Sequence, residues 1–197
     1  GIAESTASIA WPPQLIGAKE GTISLTTERF LDVPPEVAAT RDAEGVAPFV
    51  MAKTAPTVEL AFHGDLGTDP TNRRLWSSWG DICLASDGSV YVGIGDHGHD
   101  AAGDGRCYIY RWNPVQKTLT KIVDINEVVP PRPGQPAWTK VHAKIDEGPD
   151  GKIYFCCTLN AGNDAGNPKY QWTAQLPGAQ LYQYDPQTGR TTVFANL

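Results

Sequence analysis

The sequence predicts an all-β protein built from four-stranded antiparallel meanders, and three observations carry that prediction. A unit is written twice: Ser86-Asp87-Gly88-Ser89-Val90-Tyr91-Val92-Gly93 returns as Pro149-Asp150-Gly151-Lys152-Ile153-Tyr154-Phe155-Cys156, 63 residues on. Each copy is followed by a second pair of strand-like runs, Cys107 to Pro114 and Thr118 to Asp124 after the first, Gln180 to Pro186 and Gly189 to Ala195 after the second. The runs are short, rich in β-branched and aromatic residues, and separated by Gly, Pro, Asn and Asp, as strands and their turns are. A repeat of roughly 40 to 50 residues holding four strands is how a β-propeller blade reads. Propellers close with about four blades or more. Two are legible here, so the expectation is an incomplete portion of a larger propeller.

Taken in order, residues 1–56 lack the repeat and read as an N-terminal extension. Trp11-Pro12-Pro13, Val33-Pro34-Pro35 and Ala55-Pro56 interrupt any long helix or central strand there. Thr22 to Thr26 reads as a strand, and Pro35 to Ala39 as a helical turn with proline at its start. Residues 57–197 read as the blades. Thr57 to Phe62 alternates like a half-buried strand and is expected either to close a blade or to form the outer strand of another. Blade one runs from about 81 to 124 and blade two from about 141 to 195. In each, Asp-Gly makes the hairpin between first and second strands, because glycine tolerates the positive φ such turns require. Asn113-Pro114 and Asp185-Pro186 turn the chain between third and fourth strands. Strand alternation then puts the remaining connections at the opposite end, where the long loops lie.

Composition narrows the function. The net charge is −6 and the sixteen Lys and Arg are scattered, which argues against a nucleic-acid partner. No run of about 20 apolar residues is present to span a membrane, so the reading is a soluble chain, cytoplasmic or exported. Cys83, Cys107, Cys156 and Cys157 show no C-x-x-C spacing, which removes zinc-ribbon, thioredoxin and c-type haem readings. Cys83 and Cys107 fall on first and third strands with another between them, and Cys156 and Cys157 point to opposite sheet faces. Buried free thiols are therefore expected.

The long-loop end collects the unusual residues. All four histidines, His63, His97, His99 and His142, map to it. Asp96-His97-Gly98-His99-Asp100 offers two imidazoles and two carboxylates on a glycine-flanked loop. His97, His99 and His142, with His63, could hold a divalent transition metal, the one cofactor candidate here. His97 and His142 could instead act as acid and base, with a neighbouring Asp of the cluster fixing the tautomer of its histidine. Asp96, Asp100 and Asp104 supply hard oxygens for calcium, without the spacing of an EF-hand. The cluster also reads as a polar turn bonded to its own backbone. His142 opens an inner strand and has no histidine counterpart in blade one. Arg73, Arg74, Trp76 and Trp79 pair cations with aromatic faces, as a saccharide surface would, and Asn160 with Tyr170 and Trp172 on the second loop is open to the same reading. The tryptophans also suit a plain packing role between blades. No complete dinucleotide fingerprint, P-loop, G-x-S-x-G or H-E-x-x-H occurs.

The Asp-Gly-x-Val/Ile-Tyr and Leu-Tyr-x-Tyr-Asp-Pro-x-Thr-Gly patterns, over about residues 80–197, resemble blades of the β-propeller superfamily of the non-WD40 kind. Within it, histidines beside Arg and Tyr on one face resemble the propeller polysaccharide lyases, such as ulvan and oligogalacturonate lyases. That resemblance implies proton abstraction alpha to a uronate carboxylate by His or Tyr, with Arg or a metal neutralising the carboxylate. The expectation is thus a carbohydrate-active propeller that acts on or binds an acidic polysaccharide, through His97 and His142 and the Arg and Trp pairs. A non-catalytic propeller binding a protein or glycan is the first alternative, and a metal-dependent lactonase-like hydrolase the second. Further blades, from the rest of a longer chain or from another chain, are the expected partners.

Overall fold

Two Asp-Gly turns set the geometry of both large sheets. Gly88 and Gly151 have φ of +80° and +73°, the left-handed region glycine enters without a Cβ penalty. At each, the glycine N–H donates to the carbonyl three residues back, Gly88 to Ala85 and Gly151 to Gly148, both at 2.9 Å. Asp87 and Asp150 then accept from the N–H two residues on, Ser89 at 2.8 Å and Lys152 at 3.2 Å. This is the three-residue hairpin pattern, a tight turn followed by a left-handed glycine, used twice with the same bonds.

The computed structural model describes residues 22–41, 43–45, 47, 50–61, 63, 82–95, 106–131, 137–141, 143–158 and 179–196. The chain divides into two units, Gly1–Ala61 and Phe62–Leu197. In the first, strand β1 (Thr22–Thr26) pairs antiparallel with β2 (Thr57–Ala61). Between them lie a 3₁₀ turn, Glu28–Leu31, capped by the Thr27 hydroxyl, and the helix α1 (Pro35–Thr40) with proline in its first turn. The Thr57 strand expected to join a blade pairs instead with β1, through cross-strand contacts such as Thr26 to Thr57 at 2.8 Å.

The second unit is mostly β. A four-stranded antiparallel meander runs β3 (Ile82–Leu84), β4 (Val90–Gly95), β5 (Cys107–Asn113), β6 (Thr118–Asp124) in sequence order. After a short helix, α2 (Ile125–Val128), a second sheet forms from β7 (Lys140–Val141), β8 (Asp146–Glu147), β9 (Ile153–Thr158), β10 (Gln180–Asp185) and β11 (Arg190–Asn196). Four adjacent strands per repeat were legible from the sequence. The inner strand of the second sheet was not: β7 and β8 are separate pieces that pair with opposite ends of β9. The register along β9 shifts by two residues between them, from Val141 opposite Cys157 to Asp146 opposite Tyr154, and Ile145 is 0% exposed.

One core lies between the two sheets. It is built from Cys83, Tyr91, Cys107, Ile109 and Val123 of the first and Val141, Ile145, Ile153, Phe155, Cys157, Tyr182 and Tyr184 of the second. Phe155 and Tyr182 stack at 5.6 Å and Tyr91 meets Tyr184 at 6.2 Å. Burying each such ring contributes about 1.5–3 kcal/mol. Burial pushes the Tyr91 phenol up to about 12, with the Asp87 carboxylate adding to it. The far face of the first sheet carries a separate cluster, Tyr108 and Tyr110 with Val92, Ile94 and Leu119.

The third-to-fourth turns also repeat. Asn113 Oδ1 accepts from Val115 and Gln116, both at 3.0 Å, and Asp185 Oδ1 from Gln187 at 2.8 Å and Thr188 at 3.3 Å. Gly189 closes the second turn at φ +71°, where the first has Lys117 at +55°, a left-handed residue costing about 1 kcal/mol relative to glycine. The Gln187 N–H holds the Asp185 carboxyl below the usual carboxylate range. Its folded pKa is depressed, so its contribution is present above the unfolded aspartate pKa and lost as pH falls through the folded value. Asn113 shows that an amide serves the same turn. Asp185→Asn is therefore expected to leave neutral-pH stability unchanged and flatten the acid limb of a melting-temperature profile; an unchanged acid limb would place that sensitivity elsewhere.

Candidate functional site

The end of the sheets away from the Asp-Gly turns is assembled by one side chain, Asn126. Asp124 caps α2 by accepting from the Asn126 N–H at 2.9 Å, which fixes where Asn126 points. Its amide then reads the backbone of Trp138 on both sides, donating to the Trp138 carbonyl at 2.9 Å and accepting from its N–H at 2.8 Å. The Trp138 indole is 1% exposed, donates to the Val129 carbonyl at 3.0 Å and meets Tyr182 edge-on at 6.3 Å. The crossover between the sheets is thus pinned at both ends before β7 begins.

From that anchor β7 is laid directly against β4. Gly93 and Gly95 have no side chains, and the space is taken. A Cβ on Gly93 would lie 2.6 Å from the Val141 Cβ, and one on Gly95 would overlap the Thr139 carbonyl oxygen. Glycine here permits two backbones to approach. The two strands run in opposite directions: the end of β4, from which the chain goes on to His97, meets the start of β7 at Thr139 and Lys140, and Val141, the residue before His142, meets Gly93.

Two cations stand at this same end. Arg106 precedes β5, opposite the end of β4, and Lys140 opens β7 against Thr158. Burial pulls the Lys140 amine below its ordinary range. Thr139, 0% exposed, has an Oγ1 with no hydrogen-bond partner among the described residues. Reasoning on motifs passed over Arg106 and Lys140. The available signal was position, since Arg106 closes the histidine loop and Lys140 sits two residues before His142.

Of the residues singled out from the sequence, His97, His99, His142, Arg73, Arg74, Trp76, Trp79, Asn160, Tyr170 and Trp172 lie outside the described residues. Of the strand ends that lead to them, the end of β4 before His97 and His99 meets the start of β7, and the end of β7 before His142 lies two residues further back along β4, at Gly93. His63 is described and is placed elsewhere than expected: its ring lies 5.4 Å from Tyr110, in the middle of β5 and within the cluster on the far face. An aromatic ring contact, rather than the loop end, occupies it there.

The opposite end is held by charge. Glu147 of β8 accepts from the Ser86 N–H at 2.7 Å and its hydroxyl at 2.6 Å, tying the second sheet to the first Asp-Gly turn. Asp146 pairs with Lys144 at 3.0 Å, which holds its carboxyl below the usual range. Asp150 takes Tyr154 Oη at 3.0 Å and Lys152 at 3.6 Å. No group of three or more His, Cys, Asp or Glu among the described residues is placed to hold a metal ion. No helix among them is long and apolar enough to cross a membrane. No protein-family model matches the chain, and no curated protein matches it significantly.

Proposed function

We propose that the chain supplies two blades of a β-propeller whose loop end binds and cleaves an acidic polysaccharide. His97 and His142 act as base and acid, and cationic side chains grip the substrate carboxylate. The observation that supports this reading is the close approach of β4 to β7, the strands that precede His97 and His142 in sequence, with Arg106 and Lys140 at the loop end.

The chemistry that suits such a constellation is elimination. One imidazole takes the proton alpha to a uronate carboxylate; the electron pair forms a carbon–carbon double bond as the glycosidic C–O bond breaks; the second histidine, protonated, gives its proton to the leaving oxygen. The carboxylate must be neutralised for that proton to be acidic. Arg73, Arg74, Arg106 and Lys140 are the candidates in this chain, with bidentate Arg the better grip. Binding of a divalent ion by His97, His99 and His142 is the alternative use of the same side chains, since an imidazole that holds a metal cannot also serve as the base or acid. The lactonase-like reading is less favoured, because Asp146 and Glu147, the carboxylates of the inner strand, are engaged by Lys144 and Ser86.

Further blades are the proposed structural partner. The repeat makes Val90, Val92 and Ile94 the counterparts of Ile153, Phe155 and Cys157. In the second sheet that face is buried against the first; in the first it is half-buried, with Ile82 and Leu84 beside it 67% and 73% exposed. A preceding blade is what fits.

The test is turnover on a panel of uronate polymers, followed by the ultraviolet absorbance of the unsaturated product, with metal content measured on the same protein. His97→Ala and His142→Ala are each expected to lower kcat about 100- to 10,000-fold without shifting the melting temperature. Binding without turnover in the wild type would make the protein a binding module; neither binding nor turnover would end the saccharide reading.

A further inference from the structure

Two thiols meet where the sheets are closest. Cys107 opens β5 opposite Gly95, and Cys157 on β9 lies opposite Val141, so both stand next to the glycine-permitted approach of β4 and β7. Their Sγ atoms are 4.0 Å apart and both residues are 0% exposed. The pair bridges the sheets and belongs to neither repeat, since the repeat counterpart of Cys157 is Ile94. The other two thiols are elsewhere. Cys83 is on β3, opposite Tyr91, with β4 between it and β5. Cys156 is half-buried on the opposite face of β9 from Cys157.

A disulfide needs its sulfurs at about 2.05 Å, so closure asks for about 2 Å of movement shared between two side chains and two sheet edges. At 4.0 Å the two sulfurs are already in van der Waals contact. In the closed fold the reaction is blocked, because burial and the neighbouring Cys107 push the Cys157 thiol up and the thiolate is the attacking species. In the unfolded chain both thiols are open to solvent.

We propose that Cys107 and Cys157 form a disulfide that ties the two sheets together when the chain folds under oxidising conditions. The oxidant is a small-molecule disulfide such as oxidised glutathione. The thiolate of one cysteine attacks it, forming a mixed disulfide and releasing one small thiolate. The second cysteine, deprotonated, attacks the protein sulfur of that bond and expels the other. The two cysteine protons go to the departing thiolates, and the two electrons leave with them. The link joins positions 50 residues apart and encloses β6, α2, Trp138, β7 and β8. It restricts the unfolded chain, and the expected gain is roughly a hundredfold or more in the folded-to-unfolded ratio.

The experiment is to unfold the full chain with reductant, refold it in glutathione redox buffer, alkylate the remaining thiols and map them by mass spectrometry. A thermal melt is run on the oxidised and reduced forms. The expected result is one Cys107–Cys157 bond, free Cys83 and Cys156, and a melting temperature roughly 10 °C higher on oxidation. Cys156→Ser should keep both the bond and the shift, and Cys107→Ser should lose them. Four alkylated thiols, or a bond through Cys156, would overturn the proposal. So would a Cys107–Cys157 bond with no gain in melting temperature, since the link would then not be tying the sheets. None of these readouts depends on the saccharide reading.

Discussion

Trp138→Ala is expected to destabilise the protein by about 4 kcal/mol, the largest effect of any side-chain truncation among the described residues of the second unit. Removing a fully buried large aromatic costs about 3–5 kcal/mol through lost transfer energy and the cavity left behind. Trp138 is 1% exposed, and its indole N–H satisfies the Val129 carbonyl, so truncation also leaves a buried acceptor short of a donor, about 1 kcal/mol more. Tyr182 loses its edge-on neighbour. The backbone bonds from Asn126 survive the substitution, which limits the collapse to the side-chain site. Against a total stability of about 5–15 kcal/mol, a variant this damaged is near its unfolding threshold at 37 °C. Trp138→Phe separates the terms: it keeps most of the volume and should lose about 1–2 kcal/mol. Urea denaturation at unchanged m-value measures both. A loss below 1 kcal/mol for the alanine variant would mean that the crossover is not seated by its indole.

The repeat made much of this fold legible, and the reasons are local. Asp-Gly at 87–88 and 150–151 and Asn/Asp-Pro at 113–114 and 185–186 specify turns through their own φ preferences and side-chain acceptors. Those turns fix the register of β3 with β4, β5 with β6, β8 with β9 and β10 with β11. The alternation in Val90 to Gly95 and Gln180 to Asp185 then separates a core face from the other. What the pattern did not carry depends on contacts between segments distant in sequence. The pairing of β2 with β1 spans a long interval with no hairpin signal. The split of the inner strand into β7 and β8 is a two-residue shift of register along β9, which periodicity alone does not reveal. The meeting of Cys107 with Cys157 was missed because thiols were weighed only within a repeat or next to each other, and the contact lies between repeats. For the candidate site, strand alternation puts the long loops at one end, and the residues singled out on those loops lie outside the described ones; what the structure adds is the packing of the end of β4 against the start of β7. His63 was assigned to that end by its place after a strand expected to lie in a blade; once β2 pairs with β1, that argument no longer holds, and the ring is found on Tyr110.

Gly95→Ala tests whether that packing matters. The added Cβ would overlap the Thr139 carbonyl oxygen and lie 2.8 Å from the Thr139 carbonyl carbon and 3.3 Å from the Lys140 Cα. All three are backbone atoms, and none can swing aside as the end of a flexible side chain can. β7 must move away from β4, and overpacking of this kind costs about 3 kcal/mol. Gly88→Ala is the comparison at the far end. There a Cβ meets nothing within 4 Å, and the strain comes only from φ of +80°, about 1 kcal/mol. Both variants lose stability, but only the first displaces the strand that leads to His142. If the two histidines work as a pair, Gly95→Ala should lower turnover about 100-fold at a temperature where both variants remain folded, since a 1 Å misplacement of reacting groups can cost that much. Gly88→Ala should stay within about twofold of wild type. Equal turnover in the two variants, each shown folded by circular dichroism, would separate the β4–β7 contact from catalysis and leave it a packing feature of the core.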